Sequence, residues 1–313
     1  MITKEIQDEE VRAHLASLPA DGREIYLFGD KSVRMYALSL TKSLNSMKES
    51  HNLGSLETYV LSQAYIGVAL LSSQVKGNDR IRLDIECGGP IKGLSVESGA
   101  SGYVRGYLVN NPIPVTGCVN GDEGVNMLFG PGFLTVTKTL EGAKTPFSGT
   151  VMMQYGNIAK DLALYFSESE QTPTLFYISV KLNEKGYVSG GGGIFLQLMP
   201  KCPESVVAKL EEKASKLKGL GKLLSEGVDI RSYVESEFEE FSPLHLSSQP
   251  LSFSCPCSKE RFRIHLSSLP ESEKNGIMEG KFPLDLECLN CGSVYSFEKK
   301  EVEELFGKGG DEK

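Results

Sequence analysis

The sequence lacks any long apolar run. Its most hydrophobic stretch, YIGVALLSS at 65–73, falls well short of the roughly 20 residues a membrane-spanning helix needs. The opening residues, MITKEIQDEEVRAHLASLP, bring acids early and hold no apolar core of about seven residues, so no secretory signal is expected. The expected location is therefore cytoplasmic, where thiols stay reduced. Basic residues are outnumbered: 33 Lys and Arg face 41 Asp and Glu, a net charge of −8. This argues against a general nucleic-acid binder, whose affinity comes from clustered cations on phosphates. Histidines are few and scattered (14, 51, 245 and 265), with no H-E-x-x-H and no nucleophile motif beside them. Nucleophilic catalysis has little support, and the protein is not expected to be an enzyme. GYVSGGGGIFLQ at 186–197 has no G-K-[ST] and runs into an apolar strand instead of a helix. A bulge or tight turn beside close-packed backbone fits it better than a phosphate loop. There is no Trp, no internal repeat and no low-complexity tract.

Residues 1–202 read as a mixed α/β core. REIYLFGDKSVRMYALSL (23–40) starts as a strand and runs into a helix through Leu44 and Met47. From Leu56 to Ser73, apolar residues recur at helical spacing nearly all round, which predicts a buried helix. RIRLDIEC (80–87) alternates with period two, and further strands are expected at IKGLSVES, GYVRGYLVN, GFLTVTKTL and PFSGTVMMQ. GNIAKDLALYFSESE (156–170) reads as a helix ended by SEQTP, with TLFYISVKL and IFLQLM as closing strands. Arg105 is expected to pair with an acid in this core. Residues 203–249 look like a helical connector of marginal stability. Its amphipathic helix is interrupted by Gly219 and Gly221, each costing roughly 1 kcal/mol relative to Ala. Between Glu226 and Glu240 it holds six acids and one base. The remainder, 250–313, forms a small C-terminal unit, and the whole is an α+β protein.

Seven cysteines are an odd number, which fits a disulfide framework poorly. Four of them, Cys255, Cys257, Cys288 and Cys291, form C-x-C and C-x-x-C pairs separated by thirty residues. Four thiolates suit one tetrahedral Zn2+ per chain, and Gly292 can turn the chain just past the last ligand. His265 is a conceivable substitute ligand, but four cysteines already fill the tetrahedron. The C-x-C half departs from the usual C-x₂₋₄-C spacing, which suggests a site with more than a structural task. Zinc-bound sulfur is the thiolate that oxidants attack. Each pair is close enough in sequence to bridge internally. Structural zinc contributes roughly 10–16 kcal/mol to folding small domains, so oxidative loss of the metal should unfold this unit. The connector would then lose what it docks beside.

These stretches resemble a known family, the redox-regulated 33 kDa heat-shock chaperones. LDIECGGPIKGLSVES, VRGYLVNN, GFLTVTKTL, KTPFSGTV, GNIAKDLALYFSESEQTP and GGGGIFLQLMP carry the likeness, together with the four cysteines and VYSF. The resemblance implies an ATP-independent holdase that is inactive when reduced and zinc-bound. It implies redox disulfides Cys255–Cys257 and Cys288–Cys291, unfolding of the connector and a homodimer once oxidised. Unfolding client proteins are then held for an ATP-dependent seventy-kilodalton chaperone system. Cys87, Cys118 and Cys202 fall outside the motif and receive no role. Three other readings compete. In a zinc-ribbon nucleic-acid binder, residues 251–313 would need positive charge, yet they hold nine Lys or Arg against twelve Asp or Glu. A thiol oxidoreductase would need a C-x-x-C free of metal after a strand. A purely structural zinc module would leave the N-terminal domain without a task.

Overall fold

The computed structural model describes residues 1–115, 121–217 and 219–307; Cys118 lies outside them. In chain order the elements begin with α1 (Glu9–Ser17), β1 (Gly22–Phe28), β2 (Val33–Ser39), α2 (Thr41–His51) and α3 (Ser55–Leu71). Strands β3 (Arg80–Cys87), β4 (Gly93–Gly99) and β5 (Tyr103–Leu108) follow, then α4 (Gly121–Met127), β6 (Gly132–Thr139) and β7 (Phe147–Met152). After α5 (Ile158–Glu168) come β8 (Thr174–Leu182) and β9 (Val188–Leu198). The connector forms α6 (Glu204–Lys216), α7 (Leu220–Ser225), α8 (Ile230–Glu237) and β10 (Pro243–Pro250). The last part holds β11 (Ser252–Phe253), α9 (Lys259–Ser267), α10 (Glu271–Met278), β12 (Leu284–Glu287), β13 (Val294–Phe297) and α11 (Lys299–Gly307).

Two large sheets organise the chain. One runs β10-β1-β2-β9-β8 and the other β11-β5-β4-β3-β6-β7. The main core lies between them, with α3 packed against β4 and β5 on one side and β8 and β9 on the other. Such a position requires a helix apolar on every side, and α3 is buried at thirteen of its seventeen residues. β3 keeps its period-two register, with Ile81, Leu83 and Ile85 inward. Connector helices α6–α8 cover the opposite face of the first sheet. There Leu210, Leu220, Leu224, Ile230, Val234 and Phe238 bury Tyr26, Phe28, Val33, Met35, Ile194 and Leu196.

Buried polar groups fix the turns. The Asp21 carboxylate accepts from Lys42 N at 3.1 Å and Ser43 N at 2.6 Å, capping α2 from outside its own sequence. Burial pushes the Asp21 pKa up to about 6. Asp161, fully buried, accepts from the backbone of Gln154, Tyr155 and Asn157. SEQTP ends α5 as expected: Thr172 N returns to Phe166 O at 3.0 Å, and the Glu170 carboxylate receives Lys138 and Tyr165.

Three local readings change. Residues 23–40 are not one strand entering a helix but the hairpin β1–β2, paired from Gly22↔Ser39 to Leu27↔Arg34. The helix begins only at Thr41, because Ser39 and Leu40 still follow β9 and Gly191. The glycine tract 190–193 lies within β9, and its register shift falls just before it, at Lys181/Leu182. Close approach is the reason for the glycines. A Cβ on Gly190 would meet Gly221 O, and one on Gly193 would stand 2.7 Å from an Ile66 methyl. Finally, 203–249 is helical only as far as Phe241; its last seven residues, with Pro250, are strand β10, antiparallel to β1.

Candidate metal centre

Cys255 and Cys257 follow β11, whose two residues pair in parallel with Tyr103 and Val104 of β5. Ser254 N donates to Val104 O at 3.2 Å, so this cysteine pair is laid along the second sheet. Cys288 and Cys291 sit in the turn between β12 and β13. There Cys291 N and Gly292 N both donate to Cys288 O, at 3.1 and 2.8 Å, and Cys288 N reaches Ser293 O at 2.9 Å. Gly292 has φ 63°, a backbone form that glycine adopts without steric cost. Its Cα also lies against Ser50 O, where a Cβ would collide. Asn290 O accepts from Gly106 N at 3.2 Å, which pins this turn to the core.

The four sulfurs lie within 4.8 Å of one another and could hold a metal ion. Cys255 Sγ and Cys288 Sγ are 3.8 Å apart, and Cys257 Sγ and Cys291 Sγ 3.3 Å. A tetrahedron with metal–sulfur bonds of about 2.3 Å has edges of about 3.8 Å, so the residues present fit such an ion. All four are free thiols, and Cys255, Cys288 and Cys291 are buried. His265, on α9, is not part of the cluster.

The surroundings favour negative charge on one sulfur, that of Cys255. The S–H groups of Cys288 and Cys291, and then Arg105, hold the Cys255 thiol far below its ordinary pKa. Interaction with Cys255 correspondingly raises Cys288, and it pushes Cys291 up to about 11. Arg105, on β5, donates Nη1 to Cys255 Sγ at 3.4 Å. Its Nη2 and Nε go to the single Glu97 oxygen Oε1, at 2.7 and 3.1 Å. The sequence pointed to an acid partner for Arg105, and Glu97 is that partner; the contact with a distant cysteine had no signal in sequence. Tyr295, in VYSF, places its hydroxyl 3.2 Å from Cys257 Sγ and donates to Cys257 O at 3.0 Å. His51 lies behind the cluster near Phe253, and burial pushes its pKa down to about 4. Cys87 and Cys202 stand apart from the four.

Beyond the cysteines, a small core of Leu266, Phe297 and Val302 holds the C-terminal unit. Glu301 ties α11 to α9 by accepting from Lys259 and Arg263 at 2.9 and 2.8 Å.

Over most of its length the chain is similar to known chaperones. The 33 kDa chaperonin of Caldanaerobacter subterraneus subsp. tengcongensis is 32% identical over 278 residues, covering 88% of this chain and 94% of that protein. That of Agathobacter rectalis is 30% identical over 277 residues, covering 88% and 96%. The crystal structure of the 33 kDa chaperonin (heat shock protein 33 homolog) from Thermotoga maritima superposes with a TM-score of 0.83 at 29% identity, covering 94% of this chain and all of that one. Residues 21–298 match the family described as Hsp33 protein, and the chain belongs to that family of chaperones. Among the described residues no helix is long and apolar enough to cross a membrane.

Proposed function

We propose that the protein is a redox-gated, ATP-independent holdase of the cytoplasm. Cys255, Cys257, Cys288 and Cys291 hold one Zn2+ in the reduced, inactive form and become the disulfides Cys255–Cys257 and Cys288–Cys291 when oxidised. The observation that carries this reading is the convergence of four thiols from two distant pairs on a unit whose own core has Leu266, Phe297 and Val302 buried, the rest being only partly buried. Bound zinc would cross-link the two halves of that unit and keep its sulfurs as thiolates. Each disulfide forms when a thiolate takes one oxygen of hydrogen peroxide, leaving a sulfenic acid while the departing hydroxide takes up a proton and leaves as water. The neighbouring thiol then displaces a second water. The pairing within each sequence-near pair is what the family resemblance implies.

The chain then works as three parts: 1–202 as core, 203–249 as connector and 250–313 as switch. Loss of the switch removes the anchor of β10 and with it the hold on α6–α8. Their departure would uncover the apolar sheet face around Tyr26, Phe28, Met35 and Ile194. Unfolding proteins bind there, the oxidised chains pair as homodimers, and clients pass to the ATP-dependent seventy-kilodalton chaperone system. The test is light scattering from a heat-unfolding client, with the protein either reduced and zinc-loaded or pre-oxidised with warm peroxide. Suppression by the oxidised form alone is expected. Equal suppression by both would reduce the metal to a structural element, and suppression by neither would end the holdase reading.

A further inference from the structure

β10 is the outermost strand of the first sheet and pairs with β1 alone. The pairing runs from Gly22↔Pro250 to Phe28↔Pro243, with a bulge at Ile25/Tyr26. Most of β10 is exposed, Leu244 and Leu246 by more than half, so its side chains contribute little burial. Two of its eight residues are prolines, which cannot donate to a ladder and belong on edges. β10 is thus a weak strand covering a long edge, and an uncovered edge is a template for other chains.

One end of that edge is built to receive a hydrogen-bond acceptor. Arg23 of β1 is 2% exposed. Its Nη1 donates to Ala69 O and to Ser72 Oγ, both at 2.8 Å, and its Nη2 donates to Gln249 Oε1 on β10. Nε has no partner, and no carboxylate pairs with this guanidinium among the described residues. A buried cation without a counter-ion is costly, and the one side-chain acceptor supplied by a neighbouring strand is Gln249, directly opposite in register. That amide also donates to Ala100 O.

We propose that the β1 edge is a strand-accepting site for clients. β10 fills it in the closed form, and after release an extended segment of an unfolding polypeptide pairs with β1, placing an amide or carboxylate side chain on Arg23. This rests on the proposed release of the connector. Backbone pairing of this kind tolerates many sequences, while the pocket at its end adds a preference.

Amide hydrogen exchange over 22–28, on the full chain, tests the site. Those amides of 22–28 that point toward β10 should be protected in the reduced form, exchange freely after oxidation and regain protection when an unfolded client is added, while those that point toward β2 stay protected throughout. A fluorescent peptide of the β10 sequence, PLHLSSQP, should bind the oxidised protein. Replacing its Gln by Leu should weaken it about tenfold, the loss of one hydrogen bond to a charged group, and N-methylation at alternate backbone positions should abolish binding. Client binding that leaves the β10-facing amides of 22–28 exchanging freely would overturn the proposal while sparing the holdase reading. So would a peptide indifferent to N-methylation. Protection of 22–28 on oxidation alone, with a doubled mass, would give the edge to a second copy instead. Failure of the oxidised chain to suppress client aggregation in the same samples would remove the reading beneath it.

Discussion

At the residue scale the cluster is governed by a side chain far from it in sequence. A divalent ion with four thiolates carries a net charge of −2, and Arg105 is the cation that touches it, through Cys255. Glu97 fixes the guanidinium in place. An N–H donated to a thiolate withdraws charge from sulfur, lowering both its nucleophilicity and the repulsion within the cluster. Arg105→Gln should therefore speed peroxide-driven metal release about tenfold, the value of one charge-assisted hydrogen bond. Arg105→Lys should recover part of the parent rate. A colorimetric zinc indicator during peroxide treatment measures this, and an unchanged rate in Arg105→Gln would make the contact incidental. Nothing at positions 103–106 of the sequence announces this contact, because it depends on β11 lying beside β5.

At the scale of elements the connector is held by glycine against glycine. Gly219 does not weaken a continuous helix; α6 already ends at Lys216, and Gly219, with φ 74°, is the N-cap of α7. Gly221 brings α7 onto β9 at Gly190, where no Cβ fits. Gly190→Ala should lift α7 from the sheet at a cost of about 1–3 kcal/mol, as overpacking does. The reduced, metal-loaded variant should then suppress client aggregation where the parent does not, and protease should cut 204–241 faster. A variant as silent as the parent would show that this contact does not hold the connector.

Long periodic elements were legible here: α3, β3 and α5 follow from spacing alone. The β1–β2 hairpin was not, since VRMYALS is buried at six of its seven residues and such a run suits a strand or a helix equally. β10 was not legible either. PLHLSSQP has little strand propensity, and it is extended because β1 offers it a ladder.

Across the whole molecule, the C-terminal unit rests on its own small core, on contacts of its cysteine turns with the second sheet, and on any metal its four thiols hold. Removing zinc with a chelator under reducing conditions should melt 255–307 and leave strands β1–β9 paired. A metal contribution of roughly 10–16 kcal/mol is large against the marginal stability of a unit this small. Protease sites within 259–307 should open while 22–198 stays resistant, and re-addition of zinc should restore protection. Intact resistance throughout would assign the unit's stability to its own core.

The sequence by itself determined the α+β class, the buried central helix, and the four cysteines with their chemistry. Local spacing dictates each of these: period 3.6 or 2 for the elements, and paired thiols for the metal. Only the tertiary structure decided that Arg105 faces Cys255, that Ser50 closes over Gly292, and that Gln249 completes the partners of a buried Arg23. Those are meetings of residues 150, 242 and 226 positions apart, and they exist because two sheets and the helix between them bury one continuous core.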